Sequence, residues 1–332
     1  MLCQKRRNAQ TGLGPLGAFV TLLPRRQLLS LLLGSAVLPI SCAAQPSHRG
    51  HLVIIGGAED RQQDRVILKR FLSLSGGANA RIKFITAASG FPDATWASYQ
   101  AVFADLGATD CERVPLLTRD DASKPDVVRQ LAEADGIFMT GGDQNRLMEC
   151  LWESPAAQAM HRAFHISGAC IAGTSAGAAV MSRQMLAQGT ATPNPEKDVV
   201  QMDIGLGFVA NAIIDQHFSQ RQRLSRLLSA LAQRPDLLGV GIDEDTALVI
   251  ERGLSIEVVG RGAVTVVDPR KMRSNFDLVE PEDKLEMLGL QLHLLPAGHR
   301  YVVPTNLKNN KKQPLALWEA LYLLAQTGPM RD

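Results

Sequence analysis

The chain has 332 residues, 45% of them hydrophobic, which is enough to bury a sizeable core and too apolar for a disordered segment. Its 35 Lys and Arg against 33 Asp and Glu leave no global field that could hold a polyanion such as nucleic acid. Any recognition of charge must be local.

The first stretch reads as a targeting segment rather than as fold. Arg25-Arg26, in the string PRRQLL, precedes the apolar run Leu28 to Ile40, which is short for a membrane span. Ser41, Cys42, Ala43 and Ala44 then offer a signal-peptidase site, and the whole resembles a twin-arginine export signal. Residues 1–44 are therefore expected to be removed on export to the periplasm or beyond, leaving 45–332 as a single domain with no stable membrane insertion. The competing expectation is a retained anchor, or a lipid on Cys42, for which Pro39-Ile40-Ser41 is a poor lipobox. The cysteines left after removal, Cys111, Cys150 and Cys170, form no CxxC pair, so buried thiols are expected in place of a zinc site or a disulfide framework.

Beyond this segment, His51 to Ile55 is a compact apolar run stopped by Gly56-Gly57, the pattern of a buried parallel strand, and a helix is expected over Arg61 to Leu74. The alternation continues with a strand at Arg81 to Thr86, a helix at Thr95 to Leu106, a strand at Gly136 to Thr140 and another at Cys170 to Ala172 that feeds a small-residue helix at Ala178 to Met181. Such alternation predicts an α/β fold, a doubly wound, mostly parallel sheet with helices on both faces. In such sheets ligands bind at the carboxyl ends of strands, and three of those ends carry GGAED, GGDQN and GTSAG. From about Leu248 the chain turns β-rich, with short strands expected at Ala247 to Ile250, Leu254 to Val259 and Ala263 to Val267 as an extension of the same domain. A basic run at Lys308 to Lys312 reads as a solvated loop, followed by an apolar helix around Ala316 to Ala325.

Gly173-Thr-Ser175-Ala-Gly177 fits G-x-S-x-G between a strand and a helix, the context of a nucleophile elbow. The sharp turn strains the serine backbone and tolerates no bulk beside it, and the Ala176 N–H is a natural oxyanion donor. A serine hydroxyl needs a base, and His217, in Asp215-Gln-His217-Phe218 after the apolar run Ala212 to Ile214, is the leading candidate. His161 and His165 read as members of an ordinary surface helix, and His293 and His299 belong to the later region. The acid that orients the base is expected in Gly241-Ile-Asp243-Glu244-Asp245, at the end of the run Leu237 to Val240, with Glu244 or Asp243 open. Gly142, in Gly141-Gly142-Asp143-Gln144, can turn a second backbone N–H toward the substrate carbonyl. The chain order Ser, His, acid differs from that of α/β-hydrolases and points to a separate lineage of serine hydrolase.

Close after the base, Arg221, Arg223 and Arg226 open a helix whose apolar stripe is Leu224, Leu227, Leu228 and Leu231. Guanidinium groups bind carboxylates by paired hydrogen bonds, so an acidic or zwitterionic substrate is expected.

Together GGAED, ITAAS, GGDQNRL, AGTSAGAAVMS, IIDQHFSQRQRLSRL and GIDEDTAL resemble the cyanophycinases, serine peptidases of the peptidase E-like group, over roughly His51 to Asp268. The resemblance implies a class I glutamine amidotransferase-like scaffold and a triad of Ser175, His217 and Glu244. It also implies a pocket lined by Gln144, Asp215, Gln216, Arg221, Arg223 and Arg226. The substrate implied is cyanophycin, a poly-aspartate chain with arginine joined through each side-chain carboxyl. No metal and no organic cofactor are called for, and a homodimer is the assembly considered. An aspartyl dipeptidase ranks second, and an inactive scaffold that retains polymer is the rival from another class.

Overall fold

The computed structural model describes residues 49–303 and 314–330. The expected leader with Cys42 and the basic run Lys308 to Lys312 lie outside the described residues.

The first half alternates as expected: β1 (His51–Ile55), α1 (Val66–Leu74), β2 (Arg81–Ile85), α2 (Pro92–Asp105), β3 (Asp110–Arg113), α3 (Pro125–Ala132), β4 (Gly136–Met139), α4 (Gln144–Leu151), α5 (Pro155–Arg162), β5 (Cys170–Thr174) and α6 (Ala176–Ala179). The second half is β-rich: β6 (Gln184–Gly189), β7 (Val200–Ile204), β8 (Ala212–Gln216), α7 (Leu224–Gln233), β9 (Leu238–Ile242), β10 (Thr246–Glu251), β11 (Ser255–Gly260) and β12 (Ala263–Asp268). Short strands β13 (Arg273–Ser274), β14 (Met287–Leu288), β15 (Gln291–Pro296) and β16 (Arg300–Val302) precede α8 (Leu315–Ala325).

The large sheet runs β16-β11-β10-β1-β5-β4-β2-β3. Neighbours from β1 to β3 pair in parallel, whereas β10, β11 and β16 add antiparallel to the β1 edge. Buried on both faces, β1 divides its side chains by the two-residue period of a strand: Leu52 and Ile54 join one core, Val53 and Ile55 the other. The second core holds α1 and α2 against the sheet through edge-to-face contacts of Phe71 with Phe103 and Phe138 and of Phe84 with Phe103. On the opposite face α3 to α6 pack over β4 and β5. A second sheet, β15-β12-β9-β8, brings β8 and β9 together in parallel and is covered by α7 through Leu227 and Leu231.

Several local expectations shift. The helix expected from Arg61 starts only at Val66, because the Asp60 carboxylate takes the N–H groups of Gln62, Gln63 and Arg65 in a turn and Arg65 adopts φ 52°. The helix expected at Ala178 begins at Ala176, immediately after the serine. Leu224 is exposed rather than part of the α7 stripe, and Arg226 is buried on this helix in its place. His161 is no surface residue: it is buried with its ring stacked on Phe208 at 4.3 Å between centroids. Cys150 and Cys170 are buried thiols, while Cys111 is half-buried. Among the described residues no helix is long and apolar enough to cross a membrane.

Candidate active site

The order β1-β5-β4 sets the three glycine-marked strand ends side by side. Ser175 follows β5 at φ 52°, ψ −110°, a conformation that an L-residue holds only under external constraint. The flanking glycines are required by close approach: a Cβ on Gly173 would lie 2.1 Å from the Gly177 carbonyl oxygen, and one on Gly177 2.3 Å from that of Met139. The turn therefore packs directly on β4, and it lifts the Ser175 side chain above the sheet.

The second sheet delivers the expected base. β8 ends in Gln216, and His217, at φ 50°, turns its ring toward β5 so that Nε2 lies 2.9 Å from Ser175 Oγ. Nδ1 of the same ring lies 2.6 Å from Glu244 Oε1, just beyond β9. Asp243, the alternative acid, is engaged elsewhere, accepting from the Ser219 N–H and the Ala263 N–H at 3.1 Å each. Gln220 Oε1 accepts from the Glu244 N–H at 2.9 Å and holds that turn in place. Burial pushes the His217 imidazole below its ordinary value, the hydrogen bond to Glu244 pulls it back, and Arg221 and Arg223 push it down again. The ring is thus neutral at pH 7, the form that can accept a serine proton.

The loop after β4 lies against the serine. A Cβ on Gly141 would come within 3.3 Å of Ser175 Cβ, and the Asp143 N–H donates to the Ala88 carbonyl at 2.9 Å, which fixes Gly142 between them. Ala176 is the first residue of α6, where a helix leaves its N–H without an intrahelical acceptor. Gly141 thus lies against Ser175, Gly142 follows it against the Ala88 carbonyl, and Ala176 comes directly after the serine.

The residues expected to line the pocket divide into two groups. Asp215 is fully buried, and both its oxygens face arginines: Arg226 Nε donates to Oδ2 at 3.0 Å, Arg226 Nη2 donates to Oδ1, and Arg223 Nη1 lies 3.3 Å from Oδ1. The third nitrogen of Arg226, Nη1, donates to the Gly189 carbonyl at 3.0 Å. It therefore ties α7 to β6 and β8 and presents no free fork. Arg223, half-buried, also donates to Gln216 O at 2.5 Å and Gln216 Oε1 at 3.0 Å. Burial brings Arg223 down to about 10, with Asp215 raising it and Arg226 and Arg221 lowering it further, so it is still charged at neutral pH. Arg221 is exposed and makes no ion pair with the described residues. Gln144, at the start of α4, donates to the Ala187 carbonyl at 2.6 Å. One buried carboxylate against three guanidinium groups leaves a local positive excess beside the reaction centre.

The sequence reading did not single out the Glu59 side chain, buried beneath the serine turn, nor its partners Thr174 and Tyr99. Glu59 stands in GGAED, whose placement at a strand end was the available signal.

The model of peptidase family S51 matches residues 52–258. The chain belongs to this family. As an S51 member it is a serine-type peptidase with an α/β fold, and the match spans every strand and turn that builds the site. Over 265 residues the S51 chain is 39% identical to the cyanophycinase of Synechococcus elongatus, covering 80% of this chain and 82% of that one. It is 40% identical over 254 residues to the cyanophycinase of Geminocystis herdmanii, with 76% and 93% covered. Among solved structures, a peptidase from an acI-B1 Actinobacterium superposes with a TM-score of 0.58 at 24% identity, covering 77% of this chain and 98% of that one, a likeness of fold.

Proposed function

We propose that this S51 peptidase hydrolyses the poly-aspartate main chain of cyanophycin and releases β-Asp-Arg dipeptides. The observation that carries the reading is the continuous relay from Ser175 Oγ through His217 to Glu244, standing beside guanidinium groups that outnumber their carboxylate. The cyanophycinase relatives support the choice of polymer. Each unit of that polymer shows a free carboxylate and a guanidinium, so Arg221 and the unspent face of Arg223 suit the carboxylate.

In the mechanism His217 Nε2 takes the proton of Ser175 as Oγ attacks an aspartyl carbonyl carbon. The oxyanion meets the N–H groups of Gly142 and Ala176, each worth roughly 3 to 4 kcal/mol in the transition state. His217 then protonates the leaving amine, and an acyl-enzyme remains on Ser175. A water molecule, deprotonated by His217, hydrolyses the ester. Glu244 holds the ring in the tautomer that leaves Nε2 free and stabilises the imidazolium as it forms.

Export belongs to the same proposal, with residues 1–44 as the leader and 45–332 as one hydrolytic unit, alone or as a homodimer, acting on polymer outside the cytoplasm. The test is incubation of the purified protein and its Ser175→Ala variant with cyanophycin granules, with soluble dipeptide measured. The wild type should release dipeptide and the variant should bind granules without releasing any. Hydrolysis of short Asp-X peptides with intact granules would favour the dipeptidase instead, and equal release by the variant would refute the nucleophile.

A further inference from the structure

Three successive carbonyls at the end of β1 each hold one limb of the relay. Ile55 O accepts from the Ser175 N–H at 3.0 Å, Gly56 O from the His217 N–H at 2.7 Å, and Gly57 O from the N–H of Asp245, beside Glu244, at 2.9 Å. Asp245 returns the contact, its Oδ1 accepting from the Asp60 N–H at 2.8 Å. Ser175, His217 and Asp245 have φ of 52°, 50° and 47°, and Ala58, within the turn itself, has 48°. Left-handed backbone at a non-glycine residue persists only where its surroundings over-determine it. One turn reaches all three of these strained positions, so the placement of Gly56 to Asp60 bears on Ser175, His217 and Glu244 together.

What fixes the turn from below is a carboxylate. Glu59 is 5% exposed, its Oε2 accepts from Thr174 Oγ1 at 2.5 Å, and its Oε1 accepts from the Tyr99 hydroxyl. Thr174 is the last residue of β5, directly before Ser175, and Tyr99 lies in the α2 face of the second core. Burial first, and then the neighbouring carboxylate, push the Tyr99 phenol well above its usual range, which keeps it a donor. No Lys or Arg pairs with Glu59 among the described residues, so its carboxyl group has been taken out of water on the strength of two hydroxyls. A stabilising role alone would be served at lower cost by an apolar side chain in this space.

We propose that Glu59 is a positioning residue of the peptidase: by gripping Thr174 and Tyr99 it sets the height of the Gly56–Asp60 turn and so aligns Ser175 Oγ with His217 Nε2. The inference rests on the reading of Ser175, His217 and Glu244 as the reacting groups. Its consequences fall on the chemical step and leave the arginine pocket alone.

The test compares the full chain with Glu59→Gln, Glu59→Ala and Thr174→Val, at a temperature where circular dichroism reads each as folded. Two rates are measured: sulfonylation of Ser175 by phenylmethanesulfonyl fluoride, followed by mass spectrometry, and turnover of cyanophycin. Glu59→Ala should slow both at least about tenfold with KM within about twofold. Glu59→Gln should recover part of the loss, since its carbonyl still accepts one hydroxyl. Adding Thr174→Val to Glu59→Ala should cost little more, as members of one network are not additive. Should Glu59→Ala fail to fold, Thr174→Val alone carries the test with the same readouts. Wild-type sulfonylation and turnover in a folded Glu59→Ala, or full additivity with Thr174→Val, overturns the proposal. A wild type that is not labelled at Ser175 overturns the relay and the proposal with it. Labelling slowed by Glu59→Ala without any release from cyanophycin supports the role of Glu59 and refutes the polymer alone.

Discussion

Replacing Asp215 with Asn removes one negative charge from a fully buried position and changes the volume little. The two arginines facing it have side chains 13% and 9% exposed, so water does not screen the loss. Arg226 keeps the Gly189 carbonyl and one side-chain oxygen, while the new NH2 sets N–H donors against the other branch of the guanidinium. Breaking a buried pair by removing one partner costs about 3–5 kcal/mol. In a domain of this size each kcal/mol moves the thermal midpoint by about 2–4 °C, so Tm should fall by roughly 6–20 °C. Scanning calorimetry and urea unfolding measure it, with the urea midpoint lowered and the slope unchanged. Because Asp215 also steadies Arg223, KM on the polymer should rise severalfold with a smaller change in kcat. Adding Arg226→Met removes the stranded charge with an apolar side chain of similar length and should return much of the lost stability. A Tm within about 2 °C of the wild type, or a double variant no more stable than the single one, would refute the view of Asp215 as the buried counter-ion of this cluster.

The acid limb of kcat/KM should lie below pH 6.5, since burial disfavours the imidazolium of His217 and the neutral base persists as protons are added. Glu244→Gln removes an influence that raises His217, so it should move the limb lower still while reducing kcat by up to about 10⁴-fold through the wrong tautomer; a limb above 6.5 in the wild type would contradict this. Gly57→Ala puts a Cβ 2.3 Å from His217 Cε1 at a φ of 101°, so the ring must leave Ser175; kcat should fall by at least about a hundredfold, and a crystal structure with the 2.9 Å contact intact would sink the argument.

Much of the site was legible because its chemistry is written in short strings. Gly173 to Gly177 announces a turn that no bulk could enter, and the glycines do meet neighbouring backbone. The strings around His217 and Glu244 each end an apolar run, and each run proves to be a strand, β8 and β9. The choice between Asp243 and Glu244 was not legible from the residues, since both are carboxylates one position apart. It depends on which direction each side chain takes beyond β9, and there Asp243 is held by Ser219 and Ala263. The arginines were legible as a cluster but not in their division of labour. A helical pattern cannot tell that α7 begins only at Leu224, nor that Arg226 points inward at Asp215.

By itself the sequence determined the alternation of strand and helix, the glycine-flanked turn at Ser175 and the supply of imidazole, carboxylate and guanidinium groups near it. These follow from local rules: apolar period, glycine at turns, and the few residue types that can carry each charge or proton. Tertiary structure alone decided that β1, β5 and β4 are neighbours, that a second sheet carries His217 to Ser175, and that the buried Glu59 side chain of GGAED joins Thr174 and Tyr99. Those facts rest on pairings between residues far apart in the chain, 115 positions for Thr174 with Glu59. No local pattern encodes such a pairing, because the energy that selects it comes from packing the whole sheet at once.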